Sequence, residues 1–484
     1  MAIKTDQVLE AAKQAANSKN YQSRQAATLL VKSASDLARA DMIHLVESTQ
    51  QKIIRELIKL KNEDLAKYNT ASTLGKVDEL LNKMKEEAGK SARVAVLASL
   101  ILGRIESRSK QKNKSIVSAF NLSDIAQDKF NGLVDQLSAN IAMVADATRL
   151  AVQAKLQRAC VRAQTIKQLE KDRKIDVILP SLDAFKGLAI QNTDESKNVA
   201  TGLKLATIEA LLTNPMKAAT ELTAESNRRI ESFRQEYLMT QREANLIRTE
   251  TNKSDKNTDP ALLGCINAQK ELIQDLMENG IQAFQDKSGR NWSMSGYCNM
   301  LVRTNATQSE NAGALYDDPE HDLYIIPTLH SKCPICSKYE GRVYSRSGTN
   351  PHYPPLSEAF GHINSLHEGN IDGMYLNIHP NCRHTLVKFF EANHTKGGII
   401  RIQSKSTRPF DIDPRTKKEV EVYKEQERIK SVEQASKRRY KEFIQYIPAK
   451  ELGTWEAFNH NYALKDNRYN ELEKRYSEAK KASE

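Results

Sequence analysis

The chain has 484 residues, enough for about two to four domains, with a net charge of +11 from 72 basic and 61 acidic residues. That excess favours acidic partners such as nucleic acid, although the abundant acidic residues also mark much of the charge as solvated helix surface. No apolar run reaches membrane-spanning length, and the opening Met1-Ala-Ile-Lys-Thr-Asp lacks the basic-then-apolar entry of a secretory signal, so no membrane partner is expected. The six cysteines, spread along so long a chain, point to a reducing compartment and exclude a disulfide framework.

The first half of the chain reads as helix. Proline, which interrupts helices, is absent before Pro180. Ile53, Ile54, Leu57, Ile58 and Leu60 recur at three- and four-residue steps, and Val94–Leu102 is an apolar run that suits a buried helix. From Phe130 the stripe is clearest: Val134, Leu137, Ile141, Val144, Ala151, Val152 and Leu156 lie on one face of a long helix, packed in a bundle or coiled coil. Polar breaks interrupt this pattern. Ser107–Ser115 is basic and predicts a solvated loop, and a second break follows Pro180. A third, Thr251–Pro260, has no apolar residue and is expected to divide the chain. The expected organisation is a helical region over 1–250, a linker over 251–260, a small α+β module over 261–400 and a basic helical tail over 401–484. The fold class is therefore mostly α.

Within the module, Ala261–Phe284 reads as one helix. Ser293 or Ser295 is placed to cap a helix over Gly296–Thr304. Leu323–Ile326 and Gly341–Ser345 are short strand-like runs. In the tail, Val420–Tyr446 predicts a helix of interleaved charge, and its cluster Lys437, Arg438, Arg439 and Lys441 is a candidate contact for nucleic-acid phosphates.

The residues that carry chemistry lie between Ser331 and His384. Cys333-Pro-Ile-Cys336 supplies two thiols on a tight turn, and His379-Pro-Asn-Cys382 repeats the same gap downstream. Three Cys and one His would form a four-point zinc set with no open position, a structural site, with His384 competing as the fourth ligand and unliganded thiols as the alternative. A redox dithiol is weakened by the absence of a βαβ context. A zinc nucleobase deaminase is excluded, because no His-x-Glu precedes the cysteine pair. A metal-dependent nuclease or toxin-like module remains the alternative, since His362, His367, Asn377, Asn381 and His384 crowd the same stretch, but no acidic-His dyad stands ahead of the asparagines to hold an ion. No Gly-x-x-x-x-Gly-Lys loop and no Gly-x-Ser-x-Gly elbow is present, so nucleotide hydrolysis and esterase chemistry have no support.

Four blocks in order carry a resemblance: Gly280–Phe284 with Asp286–Trp292; Tyr297–Met300 with Arg303-Thr304; Cys333–Cys336 running into Glu340–Gly348, followed by Tyr353–Leu356; and His379–Leu386. Together they resemble the phage minor capsid protein 2 family of tailed-phage head proteins. The tail, with Tyr423, Gln426 and Arg428, is similar to the family's C-terminal helix. The resemblance implies a structural virion component in the phage head, made in the host bacterial cytoplasm and present in few copies near the portal. Its partners would be portal and capsid proteins, and in some relatives DNA. The resemblance implies no small-molecule substrate and no established catalytic activity. The first 250 residues carry none of these motifs, and the segment between Tyr353 and His379 is longer and more polar than the family pattern.

Overall fold

Heptad-like and small-residue spacing turns the proline-free half into long helices. In the computed structural model the residues described are 5–17, 21–109, 115–173, 217–227, 240, 268–279, 281–285, 291–329, 333–360, 375–443, 447, 449–453 and 455–481. Helix α1 (Thr5–Asn17) buries Val8, Leu9, Ala11, Ala12, Ala15 and Ala16, one face at helical spacing. It packs on α2 (Tyr21–Ile58), which also meets α4 (Ala71–Ser109), while the short α3 (Asn62–Ala66) leans on α5 (Asp124–Arg173). Neighbours on several sides explain why α2 buries Ser33, Ser35, Glu47, Ser48, Thr49, Gln50 and Gln51 along with its apolar residues. One such pair, the hydroxyls of Ser35 and Ser99, meets at 2.8 Å between α2 and α4. The stripe on α5 is inward-facing, with Phe130, Leu137, Ile141, Val144, Val152 and Leu156 all buried.

The basic stretch at 107–115 behaves differently from its expectation as a solvated loop. Ser107 and Arg108 are buried within the last turn of α4, because Arg108 is drawn to the carboxylate of Asp317 at 2.5 Å. Residues 110–114 fall outside the described residues, as do the breaks expected after Pro180 and over 251–260.

Of the helix predicted over 261–284, residues 261–267 lie outside the described residues, and its C-terminal end falls short of Phe284. Helix α6 (Ala268–Asn279) packs Leu272, Ile273 and Leu276 toward α5, with Lys155 and Asp275 ion-paired between them. Phe284 belongs instead to strand β1 (Gln282–Gln285), pairing antiparallel with β2 (Asn291–Ser293) so that Phe284 lies opposite Trp292. Ser293 then caps α7 (Met294–Tyr316), its hydroxyl accepting from the Gly296 amide at 3.1 Å. A three-stranded antiparallel sheet follows, in the order β4 (Arg342–Ser345), β3 (Leu323–Ile326), β5 (Val387–Lys388). A continuous apolar core runs from Ala38 to Leu386, joining the long N-terminal helices to α6, α7 and the sheet.

Helix α7 is the hinge of that union, and it crosses α4 at backbone distance. A Cβ placed on Gly103 would strike the carbonyl of Glu310, and one on Gly313 would strike the carbonyl of Leu100. Two facing glycines are what allow this approach. Overpacking such a crossing costs about 1–3 kcal/mol, which exceeds the helix-propensity gain of at most about 1 kcal/mol. Gly313→Ala should therefore lower the urea midpoint, and an unchanged midpoint would refute the close crossing.

The tail is helical but not simply solvated. Helix α8 (Lys396–Ser406) lies on β4, and the buried Arg342 guanidinium ties the following loop down by donating to the carbonyls of Ser406 (3.1 Å), Arg408 (2.5 Å) and Pro409 (3.1 Å). Helix α9 (Lys417–Phe443) opens on a capping box: Thr416 accepts from the Glu419 amide, and the Glu419 carboxylate accepts from the Thr416 amide. Its end joins α10 (Ala449–Leu452), α11 (Trp455–Leu464) and α12 (Asn467–Lys481) around a separate core of Phe443, Ile447, Leu452, Phe458, Tyr469, Leu472 and Tyr476. No helix among the described residues is long and apolar enough to cross a membrane.

Candidate metal centre

Two tight turns bring the cysteine and histidine pairs together. In the first, the Cys333 carbonyl accepts from the Ser337 amide at 3.1 Å and the Cys336 carbonyl from Tyr339 at 2.9 Å and Glu340 at 3.1 Å, so the chain curls around the two sulfurs. The second turn closes with the Cys382 amide on the His379 carbonyl at 3.1 Å and requires Asn381 in the left-handed region, at φ 64°.

Helix α7 holds the second turn in place through polar side chains. Thr304 Oγ1 accepts from the Asn381 amide (3.1 Å), and Thr307 Oγ1 donates to the Cys382 carbonyl (3.0 Å). Asn377 Nδ2 donates back to the Thr304 carbonyl at 2.9 Å. Asn311 spans both flanks, donating to the carbonyls of Leu376 (2.7 Å) and His384 (3.3 Å) and accepting from the Leu386 amide (2.8 Å). These bonds satisfy groups that would otherwise be orphaned in the core.

The sequence set Cys333, Cys336, His379 and Cys382 is gathered here together with His384. The potential ligand atoms form two overlapping triads, Cys333–Cys336–His379 and Cys336–Cys382–His384, each lying within 4.8 Å. A tetrahedral zinc with Zn–S near 2.3 Å has ligand-to-ligand edges of roughly 3.4–3.8 Å. Cys336 and Cys382 sulfurs stand 3.8 Å apart, Cys333 Sγ and His379 Nε2 3.6 Å, and Cys382 Sγ and His384 Nδ1 3.4 Å. Only Cys336 Sγ to His379 Nε2, at 2.9 Å, is shorter than such an edge. Each histidine presents one nitrogen to sulfur while an oxygen holds the other: His379 Nδ1 is 2.7 Å from the Pro380 carbonyl, and His384 Nε2 is 2.7 Å from Glu340 Oε1. Anchoring of this kind fixes the tautomer and aim of a metal-ligating imidazole.

The thiols and imidazoles of the cluster shift one another's protonation. A hydrogen bond from the Cys336 thiol holds Cys333 down to about 3, against the effect of burial. The same donor, with help from His384, holds Cys382 down to about 4. Cys336 itself is pushed upward by serving both neighbours and by burial. His379 is raised to about 9, first by its bond to Cys333. Burial opposes a charge on His384, but Cys382 and Glu340 outweigh it and raise its pKa. Thiolates are the form that ligates a divalent metal, and the shared protons are what such an ion would displace on binding.

Residues 257–441 match the family model described as phage minor capsid protein 2. This segment belongs to the phage minor capsid protein 2 family. No curated protein matches the chain, and no solved structure does. The matched segment begins ahead of α6, contains both Cys/His turns and ends within α9. The Glu340–Gly348 block within it is accounted for by local bonding. Glu340 anchors His384, Arg346 donates to the Leu315 and Pro319 carbonyls at the end of α7, and Asp322 accepts from the Ser345 hydroxyl and the Ser347 amide.

Of the basic cluster on α9, Arg439 lies over the rings of Phe443 and Tyr476, at 4.8 and 4.7 Å, and its guanidinium bonds Glu442 and Glu473. The side chains of Lys437, Arg438 and Lys441 lie outside the described ones, as do His362 and His367. Sequence reasoning missed Glu340 and the clamp of Thr304, Thr307 and Asn311. The three- and four-residue steps of the clamp were a legible signal, but a polar helical stripe ordinarily marks a solvated face.

Proposed function

We propose that this chain is a minor structural protein of a tailed-phage head, acting near the portal in head assembly and in DNA packaging or ejection, with portal and capsid proteins as partners. The observation that carries the reading is the minor-capsid match over 257–441, which encloses the whole Cys/His centre. Within that role, Cys333, Cys336 and Cys382 with His379, or His384 in its place, hold a structural zinc that staples the 333–341 turn to the 376–386 arm.

Several features favour a staple over a hydrolytic site. His384 is buried and has both nitrogens engaged, one by Cys382 and one by Glu340. Asn377 and the Asn381 backbone are committed to Thr304. A hydrolytic metal site keeps an open ligand position and a free base, and these residues are spent on holding the fold together.

Mass spectrometry of gradient-purified particles tests the role. Peptides from this chain should co-purify with heads at a small fraction of the major capsid signal. Their absence from intact heads, with the protein present in the lysate, would overturn the assignment.

A further inference from the structure

Four described arginines stand in the blocks that carry the family resemblance, and they divide into two kinds. Arg342 and Arg346 are structural: their guanidiniums are consumed by backbone carbonyls of the loop after α8 and of the end of α7. Arg303 and Arg383 are exposed, and among the described residues neither guanidinium makes a hydrogen bond or an ion pair. A fold that needs these arginines only for itself would give them partners.

Both are held in place by the clamp on the metal-binding arm. Arg303 immediately precedes Thr304, whose hydroxyl accepts from the Asn381 amide, and Arg383 immediately follows Cys382, whose carbonyl accepts from Thr307. The side chains therefore leave rigid backbone on facing elements, α7 and the His379–His384 turn. Arg39 of α2 adds a third guanidinium beside them. Burial first, and then the charges of Arg383 and Arg39, hold Arg303 below the ordinary arginine pKa, and among the described residues no acid offsets them. Arg39 itself answers Asp36 at 3.3 Å and also lies near Glu310. Among the described residues, Arg303 and Arg383 face solvent without an ion pair.

We infer that Arg303 and Arg383 form a docking point for the phosphodiester backbone of duplex DNA on the outer side of the metal-clipped arm. The guanidinium fork matches phosphate oxygens and is weakly hydrated, and repulsion between the two held cations is relieved when a polyanion bridges them. The chain's net charge of +11 draws the same class of partner. No base-reading element is involved, so recognition would be independent of sequence. This inference extends the head-protein reading by placing DNA on one surface, and particle composition and duplex affinity test the two separately.

The experiment uses the full chain, a fluorescent duplex of mixed sequence, and anisotropy across a salt series. Arg303→Gln with Arg383→Gln should weaken binding roughly tenfold at low salt and reduce the log–log salt slope by about 2, one unit per phosphate contact. Arg303→Lys with Arg383→Lys should retain the slope. Zinc content and thermal midpoint, both expected to match the parent, show that the fold is kept, and Arg428→Gln on α9, which removes an exposed cation paired with Glu425, should leave affinity unchanged. A parent protein that does not bind duplex, a Gln pair with the parent's slope, or preference for polyglutamate over DNA would each overturn the inference.

Discussion

Asp317→Asn should destabilise the protein by about 3–5 kcal/mol, the typical cost of removing one partner from a buried ion pair. Asp317 sits at the C-terminal end of α7 with its side chain fully buried, a position where a carboxylate is disfavoured by the helix dipole. Three cations from distant parts of the chain offset it: Arg108 at 2.5 Å, Lys388 of β5 at 3.3 Å and Arg104 at 3.8 Å. Arg104 spends its remaining donors on the carbonyls of Ala119, Ser118 and Asn121, and Lys388 also reaches Asp318 at 3.2 Å. Neutralising Asp317 leaves Arg108 without the carboxylate it pairs with in the core, while Lys388 keeps Asp318. Lys388→Met removes one of those cations, so the double variant should recover part of the loss. Urea unfolding followed by circular dichroism reads both effects. A single variant within 1 kcal/mol of the parent, roughly the value of an exposed pair, would sink the argument. Because the network ties α4 to β5, the N-terminal helices and the minor-capsid segment should unfold in one transition.

That coupling was the least legible part of the sequence. The helical N-terminal half could be read from periodicity, since Phe130, Leu137, Ile141 and Val144 line one inner face. The strands at 323–326 and 342–345 and the cap at Ser293 were legible for the same local reasons. Helix α7 was not, beyond its first turns. The helix was read only as far as Thr304, and Asn305, Gln308, Ser309, Asn311 and Gly313 beyond it carry no apolar signal, yet all are buried, with distant carbonyls and a facing glycine against Asn305, Asn311 and Gly313. Phe284 was assigned to a helix because apolar spacing alone cannot tell a short strand from a helix end; its pairing with Trp292 decides the matter. The cysteine and histidine turns were visible because each is a two-residue gap closed locally. The choice between His379 and His384 depends on Glu340 and on Pro380, and spacing is blind to both.

Cys336→Ser should abolish zinc binding altogether, whichever histidine is the fourth ligand. Cys336 is the one residue shared by both triads, standing 2.9 Å from His379 Nε2 and 3.8 Å from Cys382 Sγ. Structural zinc contributes apparent binding free energies of about 10–16 kcal/mol in small zinc domains. Here the centre supplements an existing core, so its loss should loosen one arm without unfolding the chain. The expected signature is faster amide exchange over 333–345 and 376–388, with α2 and α4 protected as before. The histidines then separate by metal analysis. If His379 is the fourth ligand, His384→Gln keeps a full equivalent of zinc but removes the imidazole that Glu340 holds, at a cost of about 1–3 kcal/mol. If His384 is the ligand, the same substitution loses the metal and His379→Gln does not. The Glu340 carboxylate on His384 is the stronger anchor of the two, since a charged acceptor binds an imidazole N–H more tightly than the Pro380 carbonyl does. Reconstituted wild-type protein that takes up no zinc under reducing conditions would remove the staple while leaving the family assignment of 257–441 intact.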